Sequence, residues 1–175
     1  RDVTRVAAPL VTVPIRYAQQ IKFVSTDALG QPSFGTATLV VPRSRWTRGG
    51  ARPIVVNNLP IDSMGTKCTS GYTLAHGFSG DTNTTDFFPP TTQLSLHRGY
   101  AVIVPDHQGP RMAYAEPTTA GHIVLDSIRA VSNYDAKAFS DSRVGMTGYS
   151  GGAIATNGAT KLAGEYAPDI APRLV

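Results

Sequence analysis

The first third of the chain predicts strands, because its apolar residues either alternate with polar ones or form short unbroken runs. Residues 21–26 alternate, which is the pattern of a half-buried strand. Turn residues at 29–32 lead into a second apolar run at 34–41, so the two runs predict an antiparallel hairpin. A third run, residues 53–58, is apolar until it ends in two asparagines, as expected of a parallel strand buried on both faces.

The rest of the chain alternates helical and strand patterns. The elements predicted after the third strand are an irregular stretch at 59–90, a helix at 92–98, a strand at 100–105, a helix at 119–134, a strand at 143–147 and a helix at 153–163. Within the longest of these helices, four apolar residues share one face: Ile123, Val124, Ile128 and Val131. Such alternation favours a parallel sheet with helices on both faces, so the sequence predicts an α/β fold.

The pentapeptide Gly148-Tyr149-Ser150-Gly151-Gly152 joins the last predicted strand to the last predicted helix. The pattern G-x-S-x-G at such a junction is typical of the nucleophile elbow of α/β-hydrolases, a sharp turn that exposes a serine hydroxyl. Glycine two positions before and after the serine is expected, because the tight turn leaves little room for side chains there. The N–H group of Gly151 would lie at the helix N-terminus, where the helix dipole favours a developing oxyanion. The sequence therefore predicts that Ser150 is a catalytic nucleophile.

Composition and charge narrow the function classes. Of the 175 residues 41% are hydrophobic and 16% are charged, which fits a globular domain and not a disordered chain. The net charge of +4 comes mainly from arginines that are scattered, apart from a solvated loop at 43–52, so we expect no nucleic-acid partner. No apolar run is long enough to span a membrane, and His and Cys do not occur at zinc-site spacing, so we expect no transmembrane segment, metal or cofactor. The first four residues are typical of a mature or trimmed N-terminus and not of a signal peptide.

Several short segments, in a characteristic order and spacing, carry a family resemblance. They are Ile61-Asp62-Ser63, Cys68-Thr69-Ser70-Gly71-Tyr72, residues 100–106 with His107-Gln108-Gly109, residues 125–130, the elbow with Ala153, and Glu165-Tyr166-Ala167-Pro168. With these segments the chain resembles the secretory lipases of the yeast lipase A type, a family that also has actinobacterial members. The resemblance implies an α/β-hydrolase fold, of which residues 1–175 would form the N-terminal part of one domain. One departure is that Asn57-Asn58 stands where many relatives have a His-Gly pair.

The resemblance also implies an activity and a set of site residues. The family hydrolyses carboxylic esters, including triacylglycerols, with a Ser-Asp-His triad and without a cofactor. Its nucleophile corresponds to Ser150, and its two oxyanion N–H donors correspond to Gly151 and Asp62, the latter in the loop after the third strand. The family's first cysteine corresponds to Cys68, the single cysteine here, whose disulfide partner would lie beyond Val175. The resemblance therefore implies a secreted enzyme that acts on an ester or lipid substrate.

The triad acid and base have no clear candidates in the sequence, since in this fold both follow the serine. We therefore expect them, with the remaining strands, the lid and the partner of Cys68, on a missing or separate polypeptide. The four histidines all precede Ser150 and each is interpretable as a loop or surface residue: His76, His97, His107 and His122. His107 is the strongest alternative base, because the ends of parallel strands face the site in open α/β sheets. We expect Asp106 to hold loop backbone and Asp126 to be a structural residue of its helix.

The predicted reaction is transfer of an acyl group to water through an acyl-serine intermediate. Two alternatives stay open on the same residues. One is an acyltransferase or peptidase with the same fold, and the other is a non-catalytic interaction fragment that retains the elbow by descent.

Overall fold

A six-stranded mixed sheet forms the centre of the computed structural model, which describes residues 2–82 and 91–175. Its strands are β1 (Asp2–Val6), β2 (Ile15–Thr26), β3 (Pro32–Pro42), β4 (Ile54–Asn58), β5 (Ala101–Pro105) and β6 (Val144–Gly148). They lie in the order β1-β2-β3-β5-β4-β6. The pairs β1–β2, β2–β3 and β3–β5 are antiparallel, whereas β4 is parallel to both β5 and β6. The carboxyl ends of β4, β5 and β6 therefore meet at one edge of the sheet.

Helices cover both faces of this sheet. They are α1 (Ser70–His76), α2 (Thr91–His97), α3 (Pro117–Tyr134), α4 (Ala136–Phe139) and α5 (Gly151–Tyr166), with 3₁₀ turns at Thr66–Cys68 and Ala171–Arg173. The larger apolar core packs α3 and α5 on the sheet and includes Ile128 and Ile103. A smaller core contains Leu74 of α1 and Leu96 of α2 with Val102. Val102 and Ile103 are neighbours in β5 that enter different cores, because successive strand side chains point to opposite faces.

The predicted hairpin, the three parallel strands and the α/β class are confirmed. The prediction of an irregular stretch at 59–90 is wrong in part, because a 3₁₀ turn and α1 lie within it, while residues 83–90 lie outside the described part of the chain. The missed signal is a helix cap, since the Thr69 hydroxyl accepts a hydrogen bond of 3.2 Å from the N–H of Tyr72. β1 was not predicted, and its residues are mostly exposed, so they carry no buried apolar stripe. Within residues 2–82 and 91–175, every helix is too short or too polar to cross a membrane.

Candidate active site

Ser150 lies at the turn between β6 and α5, at the edge where the parallel strands end. Its backbone angles are φ 53° and ψ −122°, and a positive φ is uncommon for a residue with a side chain. Backbone strain of this kind costs on the order of 1–3 kcal/mol and clusters at functional sites. Ser150 is exposed, and its side chain makes no capping hydrogen bond to α5. The turn therefore presents a serine hydroxyl at the N-terminus of a helix of 16 residues.

Close packing around this turn explains its glycines. A Cβ atom on Gly148 would collide with the carbonyl group of Gly152. A Cβ atom on Gly152 would in turn collide with the carbonyl oxygen of Asn58, at the end of β4. The two glycines thus allow α5 to approach β4 and β6 backbone to backbone, which fixes the position of Ser150 at the sheet edge.

The loop that follows β4 lies directly against the elbow. The backbone N and O atoms of Ile61 both lie 3.3 Å from the position that a Cβ of Gly151 would take. Ile61 is buried, whereas Asp62 is exposed and accepts a hydrogen bond of 3.4 Å from the Tyr114 hydroxyl. The fold therefore brings together the two segments that carry Gly151 and Asp62.

Two buried asparagines at the end of β4 brace the strand against helices on either side. Asn57 donates to the Thr92 hydroxyl at 2.7 Å and accepts from the Thr91 hydroxyl at 2.9 Å, both in the first turn of α2. Asn58 donates to the Thr156 hydroxyl of α5 at 2.9 Å. These are the residues that stand in place of the His-Gly pair. Asn57 ties the end of β4 to α2, and Asn58 ties it to α5, the helix that begins at the elbow.

His107 braces the same loop from the end of β5. Its Nε2 donates to the carbonyl oxygen of Leu59 at 2.9 Å, so the proton is on this nitrogen. Burial lowers the pKa of His107 below its ordinary value of 6.5, and the hydrogen bond to Leu59 only partly opposes this. The ring is therefore neutral at neutral pH. In the described part of the chain no hydrogen bond links His107 to Ser150, and the geometry supports a bracing role for this histidine.

The other histidines also lack a hydrogen bond to Ser150 within the described residues. His76 and His122 each have Nδ1 at a backbone carbonyl oxygen, at 2.9 and 3.0 Å, and each ring stacks on a neighbouring tyrosine. His97 is exposed at the end of α2, next to the start of β5 and hence at the far end of the sheet from Ser150. The alternative triad that uses a histidine before the serine therefore finds no support in the geometry.

Asp106 and Asp126 have the structural roles that the sequence predicts for them. The Asp106 carboxylate is buried and accepts hydrogen bonds of 2.7 Å from the Thr36 hydroxyl and from the N–H of Gly71. Desolvation raises the pKa of Asp106, and these hydrogen bonds oppose the rise. Asp126 forms an ion pair with Arg129, one turn later on α3, at 3.0 Å.

An open groove of about 320 Å³ runs beside Asp106 at the same edge of the sheet. Its apolar walls come from four residues: Phe34, Tyr72, Pro110 and Met112. Thr66 and Thr69 also line it, and both belong to the chain segment that leads from Asp62 into α1. Residues 2–82 and 91–175 contain no cluster of three His, Cys, Asp or Glu side chains that could hold a metal ion.

Comparison with known proteins decides the family to which this elbow belongs. A family model described as secretory lipase matches residues 82–175. The chain belongs to the secretory lipase family. It is 32% identical over 174 residues to a secreted triacylglycerol lipase of Malassezia furfur, covering 97% of this chain and 36% of that protein. It is also 33% identical over 171 residues to a probable inactive lipase of Mycobacterium tuberculosis, covering 97% of this chain and 38% of that protein.

Solved structures place this secretory lipase family member in the α/β-hydrolase fold. Lipase A of Candida antarctica, in its closed state, superposes with a TM-score of 0.82 at 27% identity, covering 99% of this chain and 40% of that one. A rice cell wall degrading esterase of Xanthomonas oryzae shares the fold, with a TM-score of 0.70 at 16% identity and coverage of 91% and 40%. The predicted α/β-hydrolase fold is confirmed. The chain spans about two fifths or less of the length of these relatives.

In this secretory lipase family member, Cys68 is a free and partly buried thiol at the end of a 3₁₀ turn. Its Sγ lies 3.3 Å from the carbonyl oxygen of Asp81. The bracing roles of Asn57, Asn58 and His107 were not predicted from the sequence. The signal that could have found them is a polar residue directly after an apolar strand, which must be hydrogen-bonded if the strand end is buried.

Proposed function

We propose that this chain supplies the nucleophile and the oxyanion hole of a secreted ester hydrolase that acts on acylglycerols or related carboxylic esters. The observation that carries the proposal is the backbone of Ser150, which is strained and exposed at a strand-to-helix turn. The family match and the secreted lipases among the relatives support the substrate class and an extracellular location.

In the proposed mechanism, Oγ of Ser150 attacks the ester carbonyl carbon while a histidine takes the hydroxyl proton. The carbonyl oxygen becomes an oxyanion that accepts hydrogen bonds from the N–H groups of Gly151 and Asp62. The C–O bond to the alcohol then breaks, and the alcohol leaves with the proton from the histidine. Water, deprotonated by the same histidine, attacks the acyl-serine and releases the carboxylic acid and free Ser150.

We further propose that the acid and base of the triad lie outside this chain. The support is that the histidines in the described residues bond to backbone carbonyls or lie at the far end of the sheet. The partner of Cys68 would lie in the same complementary part, and non-reducing electrophoresis of the intact protein checks this directly. A fluorophosphonate probe should label Ser150 in the intact protein and fail on residues 1–175 alone. Strong labelling of the isolated chain would contradict this division of the triad.

The experiment that tests the function is Ser150→Ala in the intact protein, assayed on a soluble ester. The variant should lose at least about 10⁴-fold in kcat, as expected when a triad nucleophile is removed. Ser140→Ala is a matched control, because Ser140 is an exposed serine at the end of α4. It should leave kcat and fluorophosphonate labelling unchanged.

A second candidate is a non-catalytic role. It is favoured by the relative from Mycobacterium tuberculosis, which covers 97% of this chain and is a probable inactive lipase. This candidate predicts that the intact protein neither hydrolyses esters nor reacts with the probe at Ser150. Equal ester hydrolysis by wild type and Ser150→Ala would also favour it over the proposed nucleophile.

A further inference from the structure

Six exposed arginines that are distant in sequence lie at the end of the sheet opposite Ser150. They are Arg16, Arg43, Arg45, Arg48, Arg98 and Arg143, and together they are called the arginine edge below. Arg16 is at the start of β2, and Arg98 and Arg143 precede β5 and β6. The other three follow β3, which runs antiparallel to β5 and ends where β5 begins.

Backbone contacts bring these arginines onto one continuous surface. The N–H of Arg43 donates to the carbonyl oxygen of Pro14 at 2.9 Å, which places it beside Arg16. The carbonyl oxygen of Arg143 accepts from the N–H of Ile54 at 2.9 Å, at the start of β4. The surface therefore runs across the ends of β2, β3, β5, β4 and β6, a width of about 20 Å at the usual strand spacing.

A seventh arginine, Arg52, organises the loop that carries half of this surface. Its guanidinium donates to the carbonyl oxygens of Ser44 and of Gly99, so it fastens the loop after β3 to the segment before β5. The Trp46 indole N–H donates to the carbonyl oxygen of Gly49 at 2.9 Å within the same loop. The guanidinium groups of the arginine edge are thus carried on a folded loop and on strand ends.

In the described part of the chain the six arginines of the arginine edge outnumber the carboxylates near them. The ion pairs there involve Arg111 and Arg129, and none of the six arginines. Of the two aspartates near this end, Asp135 accepts from the N–H of Ala138 and Asp141 lies beside Arg173. A surface that gathers like charges in this way attracts polyanions, and it does so most strongly at low salt.

We propose that the arginine edge binds an acidic polysaccharide, with sulfate or carboxylate groups, in the extracellular medium. Guanidinium groups suit this partner because their planar fork pairs two N–H donors with two oxygens of one anionic group. The arginines are spread over about 20 Å, which suits a linear polymer with repeated charges more than a single small anion. The binding would be independent of ester hydrolysis.

The position of the surface favours a polymer over a lipid bilayer as the partner. Ser150 and the arginine edge lie at opposite ends of parallel strands of five residues, which separates them by about 16 Å. A bilayer bound through the arginines would hold Ser150 away from its lipid. A polysaccharide bound there leaves the elbow accessible and would tether the enzyme near its substrate.

The test compares the affinity of the intact protein for heparin oligosaccharides, a sulfated polysaccharide, with that of two triple variants. One variant combines Arg45→Gln, Arg48→Gln and Arg98→Gln in the arginine edge. The matched control combines Arg5→Gln, Lys22→Gln and Lys161→Gln, three exposed basic residues elsewhere that lower the net charge equally. Titrations are made at several salt concentrations, and ester hydrolysis and Tm are measured on every protein.

The arginine variant should bind heparin at least about tenfold more weakly at physiological salt, while the control changes by less than about threefold. The slope of log affinity against log salt should fall by roughly two to three for the three lost contacts, as counter-ion release predicts. Ester hydrolysis and Tm should be unchanged in both variants. Equal weakening in the two variants would overturn the proposal, because net charge alone would then explain binding. Tighter wild-type binding to duplex DNA, or to vesicles of phosphatidylcholine and phosphatidylglycerol, would also overturn it.

Discussion

The carboxyl ends of β5 and β6 lie at the same edge of the sheet, and polar residues follow both strands. The environments of these polar residues are opposite. After β5, Asp106 and His107 are buried, and each side chain is hydrogen-bonded to neighbouring backbone. After β6, Ser150 is exposed, its backbone is strained and its hydroxyl does not cap the helix.

The difference shows that a place at the carboxyl end of a parallel strand does not by itself make a residue catalytic. Burial without a charged partner shifts the pKa of Asp106 upward and that of His107 downward, because desolvation disfavours the charged form of each group. A general base needs an accessible nitrogen near the proton that it removes, whereas the His107 ring is buried and its Nε2–H donates to a carbonyl oxygen. The end of β5 therefore braces the loop after β4, which in turn lies against the elbow at the end of β6.

The largest effect on kcat is expected from the loop after β4, the strand that lies between β5 and β6 in the sheet. Asp62→Pro removes the backbone N–H proposed as an oxyanion donor, so kcat should fall about 10²–10³-fold with KM little changed. Asp62→Ala is the control, because it keeps the N–H and removes the exposed carboxylate together with its hydrogen bond from Tyr114. Its kcat should stay within about threefold of wild type. A large loss in Asp62→Ala would show that the side chain, and not the backbone, acts at the site.

The parts of this architecture that follow from local patterns could be predicted from the sequence. The alternation at 21–26 and the apolar run at 100–105 predict strands, and the G-x-S-x-G motif predicts the strained serine. These signals are local because strand burial and a tight turn each depend on neighbouring residues.

Features that depend on long-range contacts could not be predicted in this way. The brace from His107 to Leu59 joins residues 48 positions apart, and the arginine edge gathers residues from four strand ends. In the sequence the arginines are scattered, and only the antiparallel return of β3 beside β5 places residues 43–48 next to Arg98. The α1 helix was missed for a different reason, since its seven residues contain few apolar ones and its cap is a single threonine.

The second prediction concerns the packing that holds the elbow in place. Gly152→Ala puts a methyl group into the carbonyl oxygen of Asn58, so it should lower the free energy of unfolding by about 1–3 kcal/mol. Gly164→Ala is a control in the same helix, because a Cβ there meets open space. It should raise stability by about 0.5–1 kcal/mol through helix propensity. Urea denaturation of the intact protein measures both, and equal effects of the two changes would contradict the close approach of α5 to β4.

The smallest loss of stability is expected from substitution of His107, at the end of β5. His107→Phe keeps a ring but leaves the carbonyl oxygen of Leu59 without its donor, so stability at pH 7.5 should fall by about 0.5–1.5 kcal/mol. His107→Gln retains an N–H donor and should recover part of this loss. In both variants kcat should fall less than about tenfold. A loss as large as that of Ser150→Ala would make His107 the base and remove the contrast between the two strand ends.

The pH dependence of stability separates the brace from a merely bulky side chain. The pKa of His107 is lower in the folded state than its ordinary value of 6.5, so the unfolded chain takes up a proton first as the pH falls. Its contribution is therefore complete above about pH 6.5 and is lost as the pH falls through the lowered pKa. The stability difference between wild type and His107→Gln should consequently shrink or change sign from pH 7.5 to pH 5.0. Parallel stability curves of wild type and His107→Gln over that range would mean that the ring does not resist protonation. The burial of His107 at the end of β5 would then be less complete than its hydrogen bond to Leu59 implies.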